Sequence, residues 1–224
     1  MRNAAKEFGD NELAIQSLEN AIALRPDFAQ AHLNLGLTSS YLSPNHELVE
    51  KWRPRFASKK KITIGIAWQG DPTYRWDHLR SVPLKLFKPL VNLPNIELVS
   101  LQKGNGSTQL NDVVSSFPIE DLGESIDVAS GAFMDTAAIM THLDLVISPD
   151  TAIVHLAGAL GVPTWLMLPT IPHWVWLLDR TDSPWYPSTR LFRQTDAGNW
   201  GPVIESMSKA LSSGMVADNS LGND

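Results

Sequence analysis

Residues 143–163 constrain the fold more than any other part of the chain. They begin with an apolar run, residues 143–148, of the kind found in strands that are buried on both faces. Pro149 breaks this run, and a helical pattern of small residues follows, ending at Gly161-Val162-Pro163. Another apolar run, residues 165–168, comes next. The pattern predicts a strand–loop–helix–strand unit of an α/β sheet.

Three polar side chains stand at the start of the predicted helix. The carboxylate of Asp150 is placed to accept an N–H of the first turn, so we predict that it caps the helix. Thr151 and His155 are four residues apart and share one face of a helix. A helix N-terminus has free N–H groups and the positive end of the helix dipole, which suit phosphate. Asp150, Thr151 and His155 are therefore candidate anion-binding residues, and the alternative is a capped core helix with a structural histidine.

The chain from residue 61 onward alternates apolar runs with helical patterns. Strands are predicted at residues 62–68, 96–101, 119–122, 143–148, 165–168 and 190–194, and helices at 82–93, 108–116, 133–143, 151–160 and 200–211. The pattern predicts an α/β fold with a Rossmann-like, doubly wound parallel sheet of about six strands, in the common order 3-2-1-4-5-6. The first and fourth strands are then neighbours. Gln69 and Gly70, which follow the first strand, are predicted to face Asp150 across the ligand crevice.

Missing motifs narrow the choice of ligand. The first strand is followed by Trp68-Gln69-Gly70-Asp71 rather than Gly-x-Gly-x-x-Gly, which argues against a dinucleotide dehydrogenase. The sequence has no Walker A lysine motif, no Gly-x-Ser-x-Gly elbow and no His-Glu-x-x-His. Arg80 and Lys103 are predicted in loops that follow strand ends, on the ligand side of the sheet. With the helix start they suit a diphosphate, although each alone is typical of a solvated surface cation.

Composition excludes several classes of protein. The net charge is −6, and the only basic cluster is residues 59–61, which argues against a nucleic-acid partner. Cysteine is absent, so disulfides and thiolate metal sites are excluded, and a reducing, cytoplasmic location is expected. No apolar run reaches the ~18 residues of a membrane span. Eight tryptophans are present, and those predicted in loops (Trp76, Trp174, Trp176 and Trp185) are expected either to line a ligand pocket or to cover the core.

The N-terminal part of the chain has a different pattern. Residues 1–40 resemble a tetratricopeptide repeat (TPR), and a plain helical hairpin is the alternative. Such helices bury their faces only against neighbours, so this arm is expected to pack on the following domain, to bind a protein partner or a second copy, or to fray. Residues 41–60 are predicted to be a linker with a short helix that Asn45 caps and Pro54 stops. Residues 61–213 form the predicted sheet domain, and residues 214–224 a disordered tail.

Several segments of the sheet domain resemble a known family in order and spacing. They are residues 65–70, 80–84, 100–104, 143–163, 182–187 and 190–194. Together they are similar to the C-terminal, nucleotide-sugar-binding half of GT-B glycosyltransferases, of the TPR-linked and heptosyltransferase-like type (glycosyltransferase family 9). The resemblance implies that Asp150, Thr151 and His155, in an Asp-Thr-x-x-x-His pattern, line the donor diphosphate, and that Arg80 faces it. The donor is a substrate in such enzymes, so no cofactor and no metal are expected.

The resemblance also implies what this sequence lacks. The acceptor site and the catalytic base of GT-B enzymes lie in an N-terminal half, and the stretch before residue 61 has no room for a domain of roughly 150 residues. The acceptor half is therefore expected to be missing. The resemblance further implies an acidic residue and an arginine where His173 and Val175 stand. Asp71, Asp77 and His155 are the nearest candidates for a base, and none is assigned that role.

Two functions from different classes follow. The first is a glycosyltransferase-like protein that binds the diphosphate of a nucleotide-sugar donor at Gln69, Gly70, Arg80, Lys103, Asp150, Thr151 and His155. The second is a non-catalytic module that binds nucleotide sugars, or binds proteins through the TPR-like arm. Turnover of a sugar nucleotide would favour the first, and binding without turnover the second.

Overall fold

The structure is a computed structural model that describes residues 42–57, 61–122 and 126–214. Its strands are β1 Ile62–Ile66, β2 Ile96–Ser100, β3 Glu120–Asp121, β4 Leu145–Pro149, β5 Thr164–Leu168 and β6 Thr189–Arg193. Its α-helices are α1 His46–Phe56, α2 Asp77–Arg80, α3 Lys88–Val91, α4 Gln109–Val113, α5 Met134–Met140, α6 Ala152–Ala159 and α7 Gly201–Ser212. Two 3₁₀ helices, Leu84–Phe87 and Trp174–Trp176, complete the described elements.

The six strands form one parallel sheet in the order β3-β2-β1-β4-β5-β6. This confirms the predicted α/β class and strand order. The central strand β1 pairs with β2 on one side and β4 on the other, with Ile66 opposite both Ser100 and Ile147. The carboxyl ends of β1, β2 and β4 therefore lie side by side, and the segments after them share one edge of the sheet.

Both faces of the sheet are covered. Strand side chains such as Ile64 and Leu145 pack on one face with residues of α7, including Ile204 and Met207. On the other face, β-strand residues such as Val146 pack against α5, α6 and Phe56 of α1. Alternate residues of the central strands thus enter opposite cores, which explains why these strands read as continuous apolar runs.

Four local predictions need correction. The helix expected at residues 82–93 is a 3₁₀ helix followed by the short α3, and Pro89 stands at the start of α3, where its missing N–H costs no hydrogen bond. Arg80 ends a short helix, α2, that was predicted as a loop. Asn45 does cap α1, but Pro54 lies inside α1 and does not stop it, since the helix continues to the buried Phe56. The third strand is reduced to two residues.

Helix α1 docks onto the sheet domain through one buried carboxylate. Asp135 Oδ1 accepts hydrogen bonds from Trp52 Nε1 at 2.7 Å and from Lys51 Nζ at 3.1 Å. A second link lies at the end of α5, where His142 Nε2 donates to the carbonyl oxygen of Val49 at 2.9 Å and its ring stacks on Phe56. Part of the predicted linker is therefore a helix packed on the domain.

The Asp135 carboxylate predicts acid-sensitive stability. Burial raises its pKa, but hydrogen bonds from Ser130, Trp52 and Lys51 outweigh burial and lower the pKa well below the usual range. A depressed folded-state pKa stabilises the fold above the unfolded pKa of about 3.9, and this stabilisation is lost as the pH falls towards the folded value. We expect Asp135→Asn to lower the free energy of unfolding by about 2 kcal/mol at neutral pH.

The same variant is expected to lose less stability than the wild type on going from neutral pH to about pH 3. Urea unfolding of both proteins at the two pH values measures this difference. An equal loss in both proteins would show that Asp135 does not contribute to acid sensitivity.

The predicted arm (residues 1–40) and most of the predicted tail (215–224) lie outside the described residues. Within the described ranges, none of the helices has the length and apolar character needed to cross a membrane.

Candidate functional site

A cleft of about 630 Å³ lies at the carboxyl ends of β1 and β2 and the start of α6, and we call it the central cleft. It brings together five of the seven predicted site residues, which are Gln69, Gly70, Arg80, Lys103 and Thr151. The loops after neighbouring parallel strands meet at this edge, where α/β folds bind ligands. The sheet order thus accounts for the convergence of residues that are far apart in the chain.

Gln102 joins the two loops on one side of the central cleft. Its Oε1 accepts the backbone N–H groups of Trp68 and Gln69, each at 3.0 Å. Its Nε2 donates to the carbonyl oxygens of Gln69 at 3.0 Å and Asn105 at 2.7 Å. One side-chain amide therefore satisfies four backbone groups where the strand ladder has ended. The side chain of Gln69 is in turn bonded to Gln109 Nε2 at 3.0 Å.

Arg80 is held in place by three neighbours. Its Nε donates to Asp77 Oδ1 at 2.9 Å, its Nη1 donates to the carbonyl oxygen of Asp150 at 2.7 Å, and its guanidinium lies 4.7 Å from the ring centre of Tyr74. Asp77 is buried and also accepts from the hydroxyl of Ser81 at 2.8 Å. A planar guanidinium fixed at two of its nitrogens is already oriented for an anion, which reduces the entropy lost on binding.

Gly70 is required by this arrangement. A Cβ at this position would lie 2.9 Å from Arg80 Cζ, and closer still to Asp77 Oδ1. The backbone N–H of Gly70 donates to Ser81 Oγ at 3.2 Å, so the loop after β1 rests directly on the Asp77–Arg80 pair. Gly70 was predicted to line the ligand crevice. The absence of a side chain at this position lets the loop after β1 lie close to Asp77 and Arg80.

The start of α6 differs from the prediction in one respect. Thr151, not Asp150, occupies the cap position, and neither side chain caps the helix. The Thr151 hydroxyl lies 3.0 Å from Ser148 Oγ instead. Because no side chain of the described residues caps this first turn, N–H groups at the helix start remain available to a ligand in the central cleft, which Ala152 and Ile153 border.

The other two predicted residues face a second cleft. This aromatic cleft, of about 680 Å³, is lined by Asp150 and His155 and by exposed rings that include Tyr74, Trp76 and Trp174. Arg80 borders both clefts. The predicted site is thus divided, with Arg80 at the boundary. Of the loop tryptophans, Trp76 and Trp174 line this cleft, whereas Trp176 is fully buried in the core.

Asp150 and His155 form a pair at the base of the aromatic cleft. Their Oδ1 and Nε2 atoms are 3.6 Å apart, and His155 Nδ1 is 3.0 Å from the hydroxyl of Tyr186. The imidazole stacks on Trp176, with ring centres 5.2 Å apart. Burial raises the pKa of Asp150, but the interactions with His155 and the charge of Arg80 outweigh it, so the pKa is lowered. Asp150 is therefore an ionised hydrogen-bond acceptor at neutral pH.

The wall opposite Gln102 contains residues that sequence reasoning missed. Asp127, Phe133 and Thr136 line the central cleft, and Lys103 Nζ donates to the carbonyl oxygen of Ile126 beside them. Asp127 Oδ1 accepts the backbone N–H of Thr136 at 3.0 Å. The sequence signal was the short polar stretch before α5, which sits on the ligand side of the sheet.

The three candidate bases are engaged in other interactions. Asp77 is bound to Arg80, and His155 to Tyr186. Asp71 borders the central cleft, but hydrogen bonds from the backbone N–H and the hydroxyl of Thr73 lower its pKa, which makes it a weaker base. Within residues 42–57, 61–122 and 126–214, no three histidine or acidic side chains are grouped as metal ligands.

The fold is that of GT-B glycosyltransferases. A glycosyl transferase family 9 structure from Veillonella parvula DSM 2008 matches 84% of this chain and 58% of its own length, at 15% identity and a TM-score of 0.59. The ADP-heptose LPS heptosyltransferase II of E. coli matches 77% of this chain and 52% of its own, at 15% identity and a TM-score of 0.50. The described chain thus spans little more than half of each enzyme. At this low identity, the structural match shows the shared fold alone.

Two sequence comparisons extend this result. Residues 3–39 match the family model described as a TPR repeat, which confirms the interpretation of the N-terminal arm as TPR-like. Protein FlbA of Caulobacter vibrioides (strain ATCC 19089 / CIP 103742 / CB 15) is 29% identical over 182 residues, which are 77% of this chain and 29% of that protein. The chain therefore spans less than a third of the length of this relative.

Proposed function

We propose that this glycosyltransferase-like chain binds the diphosphate of a nucleotide-sugar donor in the central cleft. The observation that carries the proposal is the convergence of Arg80, Lys103 and the uncapped start of α6 on one cleft at the carboxyl edge of the sheet. Cations with preset geometry and free helix N–H groups are the features that stabilise a bound diphosphate. The GT-B fold supports the nucleotide-sugar class over other diphosphates.

The acidic residues around the central cleft do not oppose this assignment. Asp71 is bonded to Thr73, and Asp127 accepts the backbone N–H and the hydroxyl of Thr136. Both carboxylates thus already accept hydrogen bonds from nearby residues of the chain, Thr73 and Thr136. Lys103, whose Nζ donates to a carbonyl oxygen, and Arg80, which is ion-paired with Asp77, are the cations that border the central cleft.

The aromatic cleft is proposed to hold the sugar end of the donor. Arg80 borders both clefts, so a diphosphate bound there would direct one end of the donor into each. The ionised carboxylate of Asp150 accepts hydrogen bonds from hydroxyl groups, and exposed rings such as Trp76 and Trp174 offer apolar faces. Asp150 and His155 keep their place in the donor site under this proposal, on the sugar side of the diphosphate.

The proposal assigns donor binding to the described residues and does not assign a catalytic base to them. Glycosyl transfer needs a base that activates the acceptor as well as groups that stabilise the leaving diphosphate. Asp71, Asp77 and His155 each have another partner, so we propose that the acceptor site and the base come from a second GT-B half, which the described sheet domain does not include.

Calorimetric titration tests the proposal. UDP-, GDP-, ADP- and dTDP-sugars are titrated into the wild type, Lys103→Ala and Thr151→Ala, with UMP as a ligand that lacks the second phosphate. At least one donor is expected to bind, and Lys103→Ala to weaken it about tenfold, since one charge-assisted contact contributes roughly 1.5 kcal/mol or more. Thr151→Ala is expected to have a smaller effect, because its hydroxyl also contacts Ser148.

Lys209→Ala is the matched control. Lys209 is an exposed lysine of α7 that pairs with Glu205 at 2.8 Å, so its removal changes the net charge equally but touches neither cleft. Its affinity for the donor should equal that of the wild type. The absence of heat with every donor at millimolar concentration, or equal losses in Lys103→Ala and Lys209→Ala, would reject the diphosphate site.

A non-catalytic module is the second candidate, and the TPR match at residues 3–39 favours it. TPR arms bind proteins through stacked helices, so a protein partner or a second copy is proposed for this region. The same titration distinguishes the two functions when it is followed by an assay for released nucleotide. Hydrolysis or transfer by the full chain supports the glycosyltransferase, with a base outside the described residues, and binding without turnover supports the module.

A further inference from the structure

The loop before α5 has an unusual backbone. This cleft loop, residues 126–133, contains two non-glycine residues with left-handed φ angles, Asp127 at 59° and Phe133 at 62°, in addition to Gly131 at 99°. Left-handed backbone is costly for residues with a Cβ and persists only where the surroundings enforce it. Both residues border the central cleft. The shape of this wall therefore depends on contacts that hold the loop.

Asp135 supplies those contacts. Its Oδ2 accepts the backbone N–H of Asp127 at 3.0 Å and the hydroxyl of Ser130. Its Oδ1 is the atom that accepts Trp52 Nε1 and Lys51 Nζ from α1. One buried carboxylate thus divides its two oxygens between α1 and the cleft loop. A carboxylate that loses donors on one oxygen changes its orientation and charge compensation, and the bonds on the other oxygen change with it.

We infer that Asp135 is a positioning residue that couples the docking of α1 to the conformation of the cleft loop, and so to the shape of the central cleft. Trp52 holds the carboxylate from one side, and the carboxylate holds Asp127 and Ser130 from the other. Asp127 then fixes Thr136 at the start of α5. Coupling of this kind is reciprocal, so a ligand in the central cleft tightens the docking of α1, and docking of α1 tightens ligand binding. The inference rests on the proposed function for the identity of the ligand.

The test compares two substitutions that each remove one hydrogen bond between α1 and the domain. Trp52→Phe removes the bond to Asp135 and keeps an aromatic ring. His142→Phe removes the bond to the carbonyl of Val49 and keeps the stacking on Phe56, without contacting Asp135. Both are made in the full chain. Hydrogen exchange of the amides at residues 126–136 is measured without ligand, and the affinities for UDP, ADP, GDP and dTDP are measured by calorimetry.

In Trp52→Phe, these amides are expected to exchange about fivefold faster than in the wild type, and the affinity for the nucleotide that the wild type binds is expected to fall about fivefold. His142→Phe is expected to change neither the exchange rates nor the affinity. Equal exchange in the two variants would overturn the inference, as would faster exchange with unchanged affinity. If the wild type binds none of the four nucleotides while the exchange difference is present, the proposed function fails and the link between α1 and the cleft loop stands.

Discussion

We expect Arg80→Ala to weaken binding of a nucleoside diphosphate about a hundredfold and to lower the free energy of unfolding by about 2–3 kcal/mol. The first effect follows because the guanidinium borders both clefts and is oriented by its bonds to Asp77 and the carbonyl of Asp150. The second follows because the Asp77 carboxylate, only 7% exposed, would lose its ionic partner. Calorimetry measures the affinity, and urea unfolding measures the stability.

A double substitution separates these two effects. In Asp77→Asn combined with Arg80→Gln, no buried charge is left unpaired, and two amides replace the ion pair. We expect this variant to recover more than half of the lost stability, because neutral replacement of a buried pair costs far less than removal of one partner. It should not recover binding, since the cation is still absent. Recovery of binding together with stability would mean that Arg80 acts only by supporting the fold.

The second large effect is expected for Gly158→Ala in the middle of α6. Alanine is favoured over glycine in helices by roughly 1 kcal/mol, so propensity alone predicts stabilisation. At this position, however, a Cβ would lie 2.6 Å from Tyr186 Cδ1 and 2.9 Å from Tyr186 Cβ. The ring belongs to a buried cluster with Trp176 and Leu166 and cannot move outward freely. Overpacking of this kind costs about 1–3 kcal/mol.

The displaced ring also supports the site, because the hydroxyl of Tyr186 contacts His155. With about 1 kcal/mol for that bond, we expect a net destabilisation of about 2 kcal/mol, measured by urea unfolding. Gly201→Ala is the control: it lies in the first turn of α7, and its Cβ would meet only Asn199 Oδ1, at an ordinary 3.5 Å. Gly201→Ala should be neutral or slightly stabilising. A stable Gly158→Ala protein would show that Tyr186 can be displaced at little cost.

Most of the sheet was predictable from the sequence because the central strands are largely apolar runs with clear boundaries, whereas β3 consists of two acidic residues. The apolar runs around residues 145–149 and 164–168 mark β4 and β5 without any long-range information, although Pro149, predicted to break the first run, is the last residue of β4. Their neighbours then follow from the common strand order for six parallel strands. Short helices were less predictable. Helix α2 has four residues and lacks a side-chain cap, so no periodicity or cap signal marks it.

The candidate site was predictable as a region but not as a set of contacts. Thr151 and His155 share a helix face in the sequence pattern, yet Thr151 borders the central cleft and His155 the aromatic cleft. Arg80 lies between these clefts, and its position depends on Asp77 and on the absence of a side chain at Gly70. Such details depend on side-chain directions and close approach, which hydrophobic patterning does not encode.

The docking of α1 could not be predicted at all. Lys51 and Asp135 are 84 residues apart, and a lysine and an aspartate at that separation are typical surface residues. Only the folded arrangement shows that the aspartate is buried and accepts four donors from two separate segments.

The four hydrogen bonds of Gln102 have a consequence for how the two walls of the central cleft are supported. They fasten the segments after β1 and β2 to each other, so these two segments form one connected wall of the central cleft. The cleft loop, by contrast, contains left-handed backbone and depends on the Asp135 carboxylate, which it shares with α1. On the inferred coupling, a change in the docking of α1 therefore reaches the central cleft through the cleft loop and not through the segments after β1 and β2.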